Sequence, residues 1–217
     1  MPSKNITRVD LANGFYHVYG RGAARRLIFV HDNDKQFFIE LLERYLGSET
    51  KFDINNNPYP SFRGKVELMA YCLMGTHFHL LLHQVESGYL SDFMKSLIGS
   101  YTRYFNRKHQ SHGALLESRF RASLITEEQY LTHLTRYIHF NPDNHENYKW
   151  SSIGYYYGTP EPDWLRVSEL MEYANLSPDY YRELMQDYEE LIEELKGMNL
   201  ADSGNSIIEK KERVVPF

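Results

Sequence analysis

Two apolar runs stand back to back in the chain, Val66–Met74 (VELMAYCLM) and His77–His83 (HFHLLLH), with only Gly75-Thr76 between them. Both are β-compatible and bounded by turn formers. They read as two paired strands or as one interrupted strand, and either reading commits the fold to a sheet. Along the second run, side chains alternate between faces. Phe78, Leu80 and Leu82 share the face that can enter a core, while His77, His79, Leu81 and His83 share the other. Two imidazoles one pleat apart can converge on a single metal ion. A half-buried strand with two hydrogen-bonded histidines is the plainer alternative, because the chain holds 10 histidines in all.

The surrounding pattern mixes strands with helices. Gly14–Tyr19 (GFYHVY) reads as a strand ended by Gly20-Arg21-Gly22. Asp32 or Asn33 can N-cap a helix whose apolar residues Phe37, Phe38, Leu41, Leu42 and Tyr45 keep helical spacing, and Gly47 can end it. Tyr89–Arg107 carries a stripe of Leu90, Phe93, Leu97, Tyr101 and Tyr104. Leu115–Ile125 suggests a bent strand. Thr126-Glu127-Glu128-Gln129 has the form of a capping box opening a helix that stops at Asn141-Pro142. Trp150-Ser151-Ser152 closes this unit. Beyond Pro160 a short helix near Val167–Asn175 and a longer acidic one near Asp179–Met198 follow, then a polar end from Ala201 to Phe217. Without regular βαβ alternation, the expected class is α+β with an antiparallel sheet. The expected division is residues 1–155 as one domain and 156–217 as a helical extension.

Composition narrows the class further. Hydrophobic residues make up 42% and charged residues 24% of 217, which fits a soluble globular chain. No apolar run approaches the roughly 20 residues of a membrane span, and no secretory leader is visible, so a cytoplasmic location is expected. The single cysteine, Cys72, excludes an intrachain disulfide and fits a reducing compartment. The net charge of −5 argues mildly against nucleic acid as partner. It is unevenly spread, however. Residues 1–150 hold 18 Lys/Arg against 15 Asp/Glu, whereas residues 151–217 hold 6 against 14. The acidity belongs to the C-terminal end.

A metal site needs a third donor. No cysteine pair and no HExxH accompany the histidines, so zinc-finger and zinc-protease readings are weak. His133, Tyr137 and Asn141 are spaced i, i+4, i+8 on the helix after Thr126 and line one face. A tyrosine with an amide one turn on is an unusual polar stripe. With 18 tyrosines present, an amphipathic residue at the core edge is the alternative reading of Tyr137. His83, His109, His112 and His139 are read as structural or surface groups.

Six segments, in order, resemble one family. Tyr16-His17-Val18 with Arg21-Gly22 resembles its opening strand. Ala70-Tyr71-Cys72-Leu73-Met74 followed by His77-Phe78-His79-Leu80-Leu81-Leu82 resembles its histidine motif. Tyr101-Thr102-Arg103-Tyr104-Phe105-Asn106-Arg107-Lys108-His109 resembles a helix of that family. So do Arg119-Phe120-Arg121-Ala122, Arg136-Tyr137-Ile138-His139-Phe140-Asn141-Pro142 and Trp150-Ser151-Ser152 at their places. Over residues 14–155 the chain resembles the IS200/IS605-type single-tyrosine transposases, HUH enzymes, and within them the REP-associated tyrosine transposases. One departure stands beside the histidines: the family usually has Pro-Asn where this chain has Gly75-Thr76.

The resemblance implies a ferredoxin-like antiparallel sheet with helices on one face. It implies His77 and His79 as metal ligands, Tyr137 as nucleophile and Asn141 in the place of the third ligand. It implies Mg²⁺ or Mn²⁺ as cofactor, with Zn²⁺ or Ni²⁺ able to replace them in a crystal. The expected reaction is attack on a DNA phosphate giving a 5′-phosphotyrosine and a free 3′-hydroxyl, on single-stranded or hairpin DNA. Candidate phosphate contacts are Arg21, Arg25, Arg26, Arg103, Arg107, Lys108, Arg119 and Arg121, each of which can equally be a solvated surface charge. Some relatives work as homodimers. A domesticated relative that binds hairpin DNA without moving itself is the alternative function, and no membrane role is expected.

Overall fold

The computed structural model describes residues 10–199, with the side chains of 128, 129 and 194–199 left outside the description. The polar end from Ala201 to Phe217 lies outside the described residues. Among those described, four strands form one antiparallel sheet: β1 (Gly14–Arg21), β2 (Val66–Leu73), β3 (His77–Gln84) and β4 (Arg121–Ile125), in the order β2-β3-β1-β4. The two central apolar runs are therefore a hairpin turned at Gly75-Thr76. The Leu115–Ile125 segment is bent as expected. Leu116 bridges to Gly22, and only Arg121–Ile125 runs as strand beside β1.

Helices α1 (Asp32–Leu46) and α2 (Tyr89–Lys108) cover the face that carries Phe78, Leu80, Leu82, Tyr16 and Val18. The side chains explain the attachment. Phe38 of α1 packs 5.3 Å from Phe78 and edge-on at 5.1 Å to Tyr101 of α2, and all three are buried. Each such buried side chain contributes on the order of 1.5–3 kcal/mol. Gly20 lies opposite Phe78 in the register, where an added Cβ would meet that ring at 2.7 Å. This position of β1 is small because the aromatic ring across from it is large.

Helix α1 begins one residue earlier than Asp32 suggests. Its N-cap is His31, and the buried carboxylate of Asp34 reaches back to accept the N–H groups of Val30 and His31, both at 2.9 Å. Helix α3 (Glu128–His139) takes Glu127 as N-cap, with no side-chain cap bond, where Thr126 was the candidate. This helix lies on the opposite face from α1 and α2, so the expected helical layer on one face is α1 and α2 alone.

The outer edge of β2 is covered. Trp150 and Ser152 exchange backbone hydrogen bonds with Leu73 and Tyr71, and Arg166 donates to Leu68. Helix α4 (Ile153–Tyr156) buries Tyr156, whose hydroxyl reaches the Met69 carbonyl at 3.1 Å. Helices α5 (Val167–Tyr173) and α6 (Pro178–Asn199) follow, close to the expected spans. Tyr181 of α6 is fully buried against Tyr156 and His139, and Tyr188 packs edge-on to Phe140 at 5.4 Å. The C-terminal helix thus braces α3 from behind.

Candidate catalytic and metal-ligand site

Antiparallel pairing of β1 and β3 sets Arg21 opposite His77, Tyr19 opposite His79 and His17 opposite Leu81. All of these point away from the α1–α2 layer, toward α3. The ring of Tyr137 stands edge-on to His79 at 5.6 Å and edge-on to His17 at 5.9 Å. His79 also stacks on His17 at 5.1 Å and on Tyr19 at 5.9 Å, and meets His77 edge-on at 5.1 Å. One strand periodicity and one helix turn together build a cluster of five rings.

Asn141 sits just past the end of α3. Its Nδ2 donates to the Tyr137 carbonyl at 3.1 Å, and this bond orients the amide so that Oδ1 lies 3.3 Å from His77 Nε2. His77 Nδ1 is held 3.0 Å from the hydroxyl of Thr76, the residue that departs from the resembled motif. His79 Nδ1 lies 2.9 Å from His17 Nε2. Both candidate ligands therefore have Nδ1 engaged, and each has only Nε2 left for a metal.

Donor chemistry and spacing fit a divalent ion. In an octahedron with bonds of about 2.1 Å, neighbouring ligand atoms are about 3 Å apart, close to the His77–Asn141 separation of 3.3 Å. Burial lowers the pKa of His77, with a smaller opposing effect from Asn141 and a further lowering by Arg21. Burial also holds His79 well below the ordinary histidine value, helped by His17, His77 and Arg21. Neutral imidazole is the form that binds metal. Among the described residues no three His, Cys, Asp or Glu side chains gather as a metal cluster. The third donor beside the two histidines is instead the amide oxygen of Asn141.

His133 leaves the line on which it was expected. It turns toward α6, edge-on to Tyr188 at 5.6 Å and 3.4 Å from Arg136, while Tyr137 faces the sheet. His139, one of the histidines read as structural, is fully buried between Ser152 Oγ at 2.7 Å and the Tyr181 hydroxyl at 2.8 Å. Burial pushes its pKa down to about 3. It ties α3 to the β2 edge and to α6.

The eight candidate cations divide. Arg21 adjoins the histidines through its register with His77, and Arg121 lies opposite Tyr19 with its guanidinium 5.9 Å from that ring. Arg25 and Arg119 are exposed. Arg26 is tied to the Ala114 carbonyl at 3.1 Å and rests over Phe105. Arg103, Arg107 and Lys108 line a cavity of about 850 Å³ on the α1–α2 side, with Arg44 and Tyr59, across the sheet from Tyr137. Lys108 is engaged there by Asp34 Oδ1 at 2.7 Å. His17 and Tyr19 were missed as site residues. The signal was their alternation with Tyr16 and Val18, which puts them on the histidine face once β1 is paired with β3.

Residues 61–141 match the family described as transposase IS200 like. No curated protein matches the sequence. Among solved structures, a REP-associated tyrosine transposase bound to a REP hairpin matches with a TM-score of 0.51 at 15% identity, over 77% of this chain and 93% of that one. A candidate transposase from Deinococcus radiodurans matches with a TM-score of 0.38 at 17% identity, over 62% of this chain and 93% of that one. The first of these likenesses establishes the shared fold.

Proposed function

We propose that this chain, whose residues 61–141 match the family described as transposase IS200 like, is a metal-dependent single-strand DNA endonuclease and strand transferase of that family. Its substrate is hairpin-containing DNA, and its covalent intermediate is a 5′-phosphotyrosine on Tyr137. The observation that carries this reading is the meeting of Tyr137, His77, His79 and Asn141 from one helix end and one strand. The likeness to a transposase solved with a REP hairpin, together with the six ordered motifs, supports the REP-associated branch and a hairpin ligand.

His77 Nε2, His79 Nε2 and Asn141 Oδ1 would hold the ion, Mg²⁺ or Mn²⁺ in use. When bound, a divalent ion polarises the scissile phosphate and favours the phenolate, since a free phenol with a pKa near ~10 is a poor nucleophile at neutral pH. The rest falls to the protein. The Tyr137 oxygen forms a bond to phosphorus, the phosphorus–O3′ bond breaks, the phenolic proton leaves and the departing 3′ oxygen takes one up. The rings of His17 and His79 pack edge-on against Tyr137 and limit its rotation. Arg21, opposite His77, and Arg121, beside Tyr19, would contact phosphates flanking the cleaved bond. A later attack by another 3′-hydroxyl reverses the step and joins strands. Tyr137 adjoins the histidines of its own chain, which supports attack within one chain.

The test is a denaturing gel of the protein mixed with labelled hairpin DNA and Mn²⁺. A protein–DNA band lost in Tyr137→Phe and in His77→Ala is expected. A folded, metal-binding protein that gives no band with a broad pool of hairpins but binds them would instead support the binding-only, domesticated reading.

A further inference from the structure

Among the described residues, the only polar contact of His17 is with a metal-ligand candidate. Its Nε2 lies 2.9 Å from His79 Nδ1, while its Nδ1 is buried with no partner. The whole residue is 3% exposed, in the sheet between Tyr16 and Val18. A buried nitrogen with no partner is uncommon and calls for a reason. A leucine or phenylalanine would pack at this position of β1 without leaving one. What only an imidazole or an amide offers here is the bond to His79.

That bond has two proton arrangements with different consequences. At 2.9 Å the two nitrogens are hydrogen-bonded, so one proton lies between them. If His17 Nε2–H donates, His79 must carry its own proton on Nε2 and has no lone pair for a metal. If His79 Nδ1–H donates, His79 Nε2 is bare and His17 carries its proton on Nδ1. Thr76 stands in the same relation to His77, whose Nδ1 it meets at 3.0 Å. A partner on the far nitrogen of a ligating histidine fixes its tautomer and ring orientation.

We infer that His17 is a positioning residue that accepts a hydrogen bond from His79 Nδ1–H, so that His79 presents a bare Nε2 to the catalytic metal. The inference rests on the metal reading above. It gives β1 a role at the site beyond the phosphate contact of Arg21.

The test uses the full chain in two measurements. Long-range ¹⁵N–¹H NMR of the histidine rings, without metal, reads the tautomer of His79 directly. Mn²⁺ titration followed by electron paramagnetic resonance reads the dissociation constant in wild type, His17→Phe and His17→Gln. The expected results are Nδ1–H on His79 in wild type, a Kd raised about 10- to 100-fold in His17→Phe, and recovery to within about threefold in His17→Gln, whose amide oxygen can accept the same bond. Wild-type His79 protonated on Nε2 overturns the inference even if His17→Phe fails to fold. So does a folded His17→Phe that binds Mn²⁺ as wild type does. A wild-type chain with bare His79 Nε2 and no Mn²⁺ binding removes the metal reading itself, and with it the role of His17, while leaving the hydrogen bond as observed.

Discussion

Asp34 gathers more donors than any other carboxylate described. Its side chain, 0% exposed, accepts from Val30 N–H, His31 N–H, Lys108 Nζ, His109 Nε2 and the Tyr104 hydroxyl. Burial alone would raise its pKa. The bonds from Lys108, His31 and His109 outweigh that and bring it from 3.8 down to about 2. At about 1.4 kcal/mol per pH unit, this difference is worth about 2 kcal/mol of stability. A carboxylate with a lowered folded-state pKa contributes fully above 3.8, and its contribution fades as pH falls toward 2. Asp34→Asn should therefore lose about 2 to 3 kcal/mol at pH 7, because the amide turns two donors toward groups that are themselves donors. With a urea slope of about 2 kcal/mol/M, the unfolding midpoint should fall by about 1 M. Circular dichroism across a urea series at pH 7 measures it. A midpoint within about 0.2 M of wild type would refute the assignment of Asp34 as the tie among the start of α1, the end of α2 and Lys108.

Other outcomes follow from the same geometry. Lys108→Met should cost stability and leave the salt dependence of DNA binding unchanged, whereas Arg21→Met should reduce the slope of log affinity against log salt by about one; equal slopes for the two variants would contradict the division of cations. Burial holds His17 near pKa 4 and His139 near 3. The unfolded chain binds those protons from about pH 6.5 downward, so stability is full above 6.5 and is lost as pH drops. Each histidine should cost about 2 kcal/mol at pH 5 relative to pH 7, and urea midpoints that stay flat across that interval would contradict it. Tyr137→Phe should fold, bind Mn²⁺ within about twofold of wild type and form no covalent adduct.

Much of this architecture can be read from periodicity. The apolar runs in Val66–His83 commit the chain to a sheet, as one strand or two, the alternation along His77–His83 separates core phenylalanine from site histidine, and the stripe from Leu90 to Tyr101 yields α2. These features are local, so a window of sequence contains them. The features that escaped are contacts between distant residues. Asp34 looks like an ordinary first-turn acid until Lys108, 74 positions on, is brought to it. Lys108 itself reads as a DNA contact or a solvated surface charge for the same reason. His17 and His79 are 62 positions apart, and their bond exists only because β1 inserts between β3 and β4. The spacing of His133, Tyr137 and Asn141 implies a shared face, yet His133 turns toward Tyr188 of α6. Tyr137 and Asn141 stay together because Asn141, past the end of α3, donates to the Tyr137 carbonyl.

The central claim is that Tyr137 becomes covalently joined to DNA. The adduct formed with Mn²⁺ and a hairpin oligonucleotide would be digested with nuclease and protease, and its peptides read by tandem mass spectrometry. The expected result is a single nucleotide-bearing peptide, Tyr137 as the modified residue, and loss of the species in His79→Ala. A nucleotide found instead on Tyr19, Tyr130 or any other side chain would contradict it.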